Sequence, residues 1–314
     1  MPLPFALDHI NLWLLRDGNG WTIVDTGFGI DVTKKLWDQV LAEYLDGRPV
    51  NRVIVTHLHP DHIGLAAWLA ERFSVEVWMT QGEFTTAHLH WDTVGALQDK
   101  VVDLYRWHGL DEARLASVAG RGSMYRRSIP ALPSMFRRIA DDESFVIDGR
   151  AWRVIVGRGH SPEHASLYCE SSGVLISGDM VLPKITTNVS IVPYEPEGNP
   201  LALFLQSLKR FATLPHDTLV LPSHGLVFYG LRERLEDLAQ HHEERFDLVA
   251  DACQAPQTAA ALLGQLFKRQ LDAHQLGFAM GEAIAHLNYM MYAKRLERTK
   301  DPDGVYRFAR PSAA

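Results

Sequence analysis

Cysteine is nearly missing from this chain. Only Cys169 and Cys253 occur among 314 residues, so there is no material for a disulfide framework or a cysteine-based metal knuckle. A cytoplasmic setting is the expectation that follows. Long apolar runs are missing too. No segment approaches the roughly 18 uncharged apolar residues that a bilayer span requires. The opening "MPLPFALDHINLWLL" lacks a basic leader, and Asp8 and His9 interrupt its apolar run, so no signal peptide is expected. Positive charge is not in excess: 31 Lys and Arg face 38 Asp and Glu, a formal net charge of −7. That balance argues against a general affinity for nucleic acid or for anionic membranes. Internal repeats and low-complexity tracts are absent as well. What remains is 46% hydrophobic and 22% charged, which suits a globular chain with one large domain and a small one.

The order of elements points to an α/β fold. Ile10 to Leu15 and Trp21 to Val24 read as a hairpin turning at Asp17–Gly20. A helix is predicted from Val32 to Leu45, then the strand "RVIVT", the helix "IGLAAWLAERF" and the strand "VEVWMT". From Glu83 to Ile139 no strand pattern is evident. The segment reads as a long helical insert of the kind that forms a lid. Short strands return with "FVIDG", "WRVIVG", "SLYCES" and "GVLISGD", and "TLVLPSHG" ends in a loop. A long charged helix starts near Gly230, and on it His241 and His242 are expected to be solvated. The expected boundaries are 1–250 for a catalytic domain, with the insert at 83–139, and 251–314 for a small C-terminal domain. In that small domain, helices followed by a hairpin turning at Asp301–Gly304 suggest a winged helix.

The chemistry concentrates in "VIVTHLHPDHIGLAAWLAERF". Side chains at i and i+2 of an extended segment face the same way, so His57 and His59 can aim two imidazoles at one point. Asp61 and His62 follow at the turn into a helix and can face a second point beside it. Imidazole and carboxylate suit zinc, iron or manganese. A lone His-x-His among 15 histidines would mean little, but the full His-x-His-x-Asp-His directly after a buried strand points to metal binding. "HLH" at His88–His90 has the same form without an adjacent acid and is discounted.

With that motif, "VDTG" at Val24–Gly27, "GRGHSPEHAS", "LISGDM" and "LPSHG", the sequence resembles the metallo-β-lactamase superfamily over about Pro4 to Arg234. The resemblance implies an αββα sandwich with two divalent ions, zinc first among the candidates, at one edge of the sheets. It implies that His57, His59 and His160 hold one ion, that Asp61, His62 and His224 hold the other, and that Asp179 bridges them. The catalytic part falls to Asp61, His62 and Asp179. Asp25 would fix an imidazole tautomer. His164 and Tyr194 are candidates for contact with a ligand residue or with substrate.

The resemblance also implies that members with an aspartate bridge are glyoxalase-like hydrolases, lactonases, phosphodiesterases and nucleases, and that β-lactam turnover is not expected. The expected reaction is attack of a metal-bridged hydroxide on the carbonyl of a small-molecule thioester, ester or lactone. The alternative is a phosphodiesterase or endoribonuclease. Arg121, Arg126, Arg127, Arg137 and Arg138 in the insert suit phosphates, whereas Leu104, Tyr105, Trp107, Met124, Tyr125, Met135 and Phe136 suit an acyl chain. The C-terminal segment mixes acids and bases, so packing or homodimerisation competes there with nucleic-acid binding.

Overall fold

In the computed structural model the described residues are 1–5, 7–120, 124–268 and 270–311. The elements follow in chain order. First come β1 (Trp13–Asp17), β2 (Gly20–Val24), α1 (Asp31–Tyr44), β3 (Val50–Ile54), the one-turn α2 (Pro60–Ile63), α3 (Ala66–Phe73) and β4 (Val77–Met79). Helices α4 (Gln81–Asp92), α5 (Val94–Trp107), α6 (Glu112–Gly120) and α7 (Met124–Ser128) come next. Strands resume with β5 (Arg137–Arg138), β6 (Ser144–Ile147), β7 (Arg150–Gly157), β8 (His164–Cys169) and β9 (Val174–Gly178). After α8 (Pro200–Phe211) and β10 (Leu219–Pro222) come α9 (Leu231–Ala252), α10 (Ala259–Leu266) and α11 (Ala273–Tyr292), then β11 (Glu297–Lys300) and β12 (Tyr306–Ala309).

The chain divides into two compact units. The first gathers Met1–Asp92, Met124–Thr187 and Ser207–Leu235, and the second Thr93–Ser123, Asn188–Gln206 and Glu236–Ala314. The first unit holds two five-stranded sheets, ordered β1-β2-β3-β4-β5 and β10-β9-β8-β7-β6. The expected hairpin is present as β1 and β2, with Asp17 opposite Gly20. β2, β3, β4 and β5 run parallel, and such strands are buried on both faces. Val24 and Ile54 of the first sheet therefore share a core with Val154, Leu167 and Ile176 of the second. Trp37, Leu41 and Leu69 of α1 and α3 cover the opposite face of the first sheet with Ile23, Val53 and Val77. The end of α8 lies along β7: Ser207 Oγ accepts from Arg158 N at 2.9 Å, and Arg210 Nη1 donates to Val156 O at 3.1 Å. The architecture is αββα.

Four local readings change. The helix expected from Ile63 to Phe73 is broken into α2 and α3. Gly64 lies at the break, and a Cβ there would come within 2.3 Å of Pro60 O and 2.5 Å of Gly27 O. Segment 83–139 is not wholly helical. Arg137 and Arg138 form β5, which extends the first sheet beyond β4, and two residues are too few to show a period in sequence. Of the apolar residues assigned to an acyl slot, two are core and two more pack against a core. Leu104 and Tyr105 are buried in the second unit, and Tyr125 and Phe136 pack on the core of the first.

The fourth change is His242. It is buried, because Leu238 four residues before it and Phe246 four after place it on the apolar stripe of α9. His286 Nδ1 donates to Glu282 O at 2.8 Å, which leaves its Nε2 to accept from His242 Nδ1 at 3.2 Å. Burial and the neighbouring imidazole lower His242 to about 3, and burial lowers His286 to about 4. Both folded values lie below the unfolded value of about 6.5. Stability should therefore be intact above pH 6.5 and lost as pH falls toward 4, since the unfolded chain then binds protons the folded chain refuses. Melting temperature against pH should decline below about 6.5. In His242→Leu the slope of unfolding free energy there should be shallower, by up to about 1.4 kcal/mol per pH unit.

Candidate metal centre

Six strand ends and starts meet at one edge of the first unit. Asp25 follows β2, the His57–His62 stretch follows β3, and His160 lies between β7 and β8. Asp179 follows β9 and His224 follows β10. The parallel pairs β2–β3 and β9–β10 bring their carboxyl ends to the same side. The two sheets are joined at this edge by Ala165 N donating to Thr56 O at 2.8 Å. Gly178 is required here: its φ is +54°, and a Cβ would sit 2.3 Å from His164 Nε2.

The structure brings all seven expected ligand residues together in two groups. His57, His59, His160 and Asp179 form one, and Asp61, His62 and His224 form the other, each with its ligand atoms within 4.8 Å of one another. His57 Nε2 lies 2.9 Å from His59 Nδ1 and 3.2 Å from His160 Nε2. Asp179 Oδ2 is 3.5 Å from His160 Nε2 and 3.9 Å from His57 Nε2. Its other oxygen, Oδ1, faces His62 Nε2 at 3.5 Å and His224 Nε2 at 3.4 Å. Asp61 Oδ2 completes the second group, 3.4 Å from His224 Nε2 and 3.8 Å from His62 Nε2. Tetrahedral ligands at about 2.1 Å from an ion stand roughly 3.4 Å apart, so these spacings fit metal coordination. Asp179 Oδ1 and His62 Nε2 are buried without a hydrogen-bond partner among the described residues, and a shared cation would satisfy both.

Hydrogen bonds behind these side chains fix the tautomers of three imidazoles. Asp25 Oδ2 accepts from His62 Nδ1 at 2.8 Å, and His9 O accepts from His224 Nδ1 at 2.8 Å, so each ring turns a bare Nε2 to the site. Thr56 Oγ1 donates to Asp25 and accepts from His57 Nδ1 at 3.0 Å, which frees His57 Nε2 in the same way. His164, a candidate for contact with a ligand residue or with substrate, opens strand β8 and is fully buried. Its Nε2 accepts from Asp179 N at 3.1 Å, holding the backbone of that residue. Tyr194 belongs to the second unit, 41% exposed. Among the described residues His88 and His90 join neither group, and Arg121 lies outside the described residues.

Electrostatics separate the two groups. Burial, then the charges of His62 and other nearby imidazoles, holds His57 well below the usual histidine range. Burial takes His59 down to about 3. Burial also works against charge on His62 and His224, but carboxylates outweigh it. Asp25, Asp179 and Asp61 hold His62 well above the usual range, and Asp179 and Asp61 push His224 up to about 10. His57 and His59 thus present neutral nitrogens, and the carboxylates around His62 and His224 make a negative field that favours a cation.

Sequence reasoning missed Glu83, which is fully buried. Leu58 N donates to its Oε2 at 2.9 Å, and Ser161 Oγ and Glu163 N donate to its Oε1 at 2.6 and 2.7 Å. In sequence it is only an acid in a helix's first turn, a common place for one.

Residues 6–224 match the metallo-beta-lactamase superfamily, and residues 246–311 match the metallo-beta-lactamase-like, C-terminal domain. The chain belongs to the metallo-beta-lactamase superfamily, and it is a metal-dependent hydrolase of that class. It is similar to a beta-lactamase domain protein from Burkholderia ambifaria at 48% identity, covering 99% of this chain and 91% of that one with a TM-score of 0.92. A metallo-beta-lactamase family protein from Thermus thermophilus is 30% identical, with 99% and 97% coverage and a TM-score of 0.84. The probable metallo-hydrolase YqjP of Bacillus subtilis is 26% identical over 98% of this chain and 95% of its own. No helix among the described residues is long and apolar enough to cross a membrane.

The bond from His62 to Asp25 generates a prediction. All three groups on the Asp25 carboxylate are donors, namely Thr56 N, Thr56 Oγ1 and His62 Nδ1. An amide in its place turns an NH₂ against one of them. Asp25→Asn should lower metal affinity about ten- to hundredfold, measured on metal-free protein by competition with a chromophoric chelator. Unchanged affinity would contradict the role given to Asp25.

Proposed function

We propose that the chain is a dinuclear hydrolase of small-molecule thioesters, esters or lactones. His57, His59 and His160 hold one divalent ion, Asp61, His62 and His224 hold the other, and Asp179 spans both. The observation that carries this reading is the Asp179 carboxylate, whose Oδ2 faces the first group and Oδ1 the second. Two such ions supply a hydroxide-strength nucleophile and a Lewis acid at neutral pH. The donor set suits zinc, and iron or manganese also accept it.

The chain's residues do the rest. Asp25 and the His9 carbonyl keep protons on the far nitrogens of His62 and His224, so those rings bind as neutral donors. The side chain of Asp61 is 20% exposed, whereas His57 and His62 are fully buried, so substrate approaches from the Asp61 side. Ile185, Leu226, Val227 and Tyr229 are exposed on loops that follow Asp179 and His224 in the chain. These loops meet where Gly225 abuts Pro183. Exposed apolar side chains on these loops suit an acyl group. We assign the helices and two-stranded sheet after Ala252 to a winged-helix-like tail.

The phosphodiesterase alternative needs a basic track. Arg137 stacks 3.8 Å from the Trp78 ring and pairs with Glu143 at 2.9 Å. Arg126 stacks 4.3 Å from the Trp91 ring. Arginines committed in this way, on a chain of net charge −7, favour the acyl reading.

Reconstituted protein should carry two ions per chain by elemental analysis, and Asp179→Asn should lose one of them with most of the activity, because a neutral amide bridges two cations poorly. Fully loaded enzyme should show higher kcat/KM on a thioester, ester or lactone panel than on bis-p-nitrophenyl phosphate or RNA. It should also show little salt dependence on neutral substrates, in contrast to the steep dependence of phosphate-backbone binding. Preference for a phosphodiester would reverse the choice.

A further inference from the structure

We propose that Glu83 is a positioning residue that ties together the two loops carrying the first group of ligands and so sets that group's affinity for its ion. The inference rests on the reading of His57, His59, His160 and Asp179 as one ion's ligands. Glu83 stands in the first turn of α4 and is fully buried. A buried carboxylate is costly unless it is fully hydrogen-bonded, and this one is bonded on both oxygens to two separate loops. Oε2 takes Leu58 N, the amide between His57 and His59, at 2.9 Å. Oε1 takes the Ser161 hydroxyl at 2.6 Å and Glu163 N at 2.7 Å, directly after His160.

The tie is reciprocal. Glu163 Oε2 accepts from Gly82 N at 2.7 Å, and Thr80 Oγ1 donates to Glu163 O at 2.8 Å. The approach is close enough that a Cβ on Gly82 would lie 2.9 Å from the Glu163 side chain. The start of α4 and the 160–163 loop therefore interlock, and Glu83 extends the lock to the 57–59 loop. Leu58 is the point that matters, since it lies between His57 and His59, whose ring nitrogens approach to 2.9 Å. Fixing its amide fixes the backbone under both imidazoles. A site of this kind needs its ligands held within about 0.5 Å, and the nitrogens here converge to 2.9 and 3.2 Å.

Chemistry separates this role from ordinary core filling. All three partners of Glu83 are donors, so only a group that accepts on both oxygens serves. Glutamine has nearly the same shape, but either orientation of its amide turns an NH₂ toward a backbone N–H, of Leu58 or of Glu163. Leucine would fill the space and leave three buried donors unsatisfied.

The test uses the full chain, stripped of metal and titrated with zinc(II) against a chromophoric chelator. A His224→Ala background reports the first group and a His57→Ala background the second. Glu83→Gln should weaken zinc(II) binding about ten- to hundredfold in the first background and by less than about twofold in the second. Ser161→Ala removes one donor of the tie and should act in the same direction, more weakly, with Ser161→Thr restoring affinity. It carries the test should Glu83→Gln fail to fold. Equal weakening in both backgrounds, or a fall in the metal-free melting temperature with zinc(II) affinity unchanged, would overturn the role of Glu83. A parent His224→Ala protein that takes up no zinc(II) would instead overturn the ligand reading on which it rests.

Discussion

The Asp25 carboxylate is the contact on which the site depends. It lies where β2 ends, in the left-handed region at φ 61°, a conformation that costs a non-glycine residue about 1–3 kcal/mol. Hydrogen bonds to a charged group contribute about 1.5–3 kcal/mol each, and Asp25 accepts from Thr56 N, Thr56 Oγ1 and His62 Nδ1. The bonds outweigh the strain. Through Thr56 the same carboxylate reaches His57, so one buried anion orients an imidazole in each group. The Thr56 carbonyl in turn takes Ala165 N from the second sheet, which aligns the two sheets at the edge where their loops must meet.

The division of labour among acids follows from position. Asp25 and Glu83 stand behind the ligands and accept only from donors of the chain. Asp61 and Asp179 stand among the ligands and have oxygens directed at imidazole nitrogens. Burial resists charge on Asp179, yet His62 and His224 hold its carboxyl well below the usual range. An ionised carboxylate with one oxygen on each side is suited to sit between two cations. In the proposed function, that arrangement would provide for hydrolysis without a nucleophilic side chain. Cys169 and Ser223 are buried. Cys169 belongs to the core between the sheets, and Ser223 binds through its backbone, to Gly178 and Asn11.

Much of this was legible in the sequence, for reasons that differ by residue. The His57–His62 stretch could be read because strand alternation and a strand-to-helix turn make its spacing geometric. His160, Asp179 and His224 could be placed only by resemblance, since each alone is an ordinary polar loop residue. Glu83 was not legible, because its partners are backbone amides that folding alone brings near. The strand that carries His164 could be read only from Ser166 onward, because His164 to Cys169 are all buried and continuous burial leaves no alternation to mark where it begins. β5 is too short to carry a pattern. His242 could have been found from Leu238 and Phe246 on either side of it, but the charge of α9 obscured that stripe.

The central claim is that Asp179 joins two ions in one centre. Electron paramagnetic resonance of the chain loaded with two manganese(II) ions tests it most directly. The account predicts an exchange-coupled spectrum, which Asp179→Ala converts to that of isolated ions or of a single ion. Two ions bound with no magnetic coupling in the unaltered chain would contradict it.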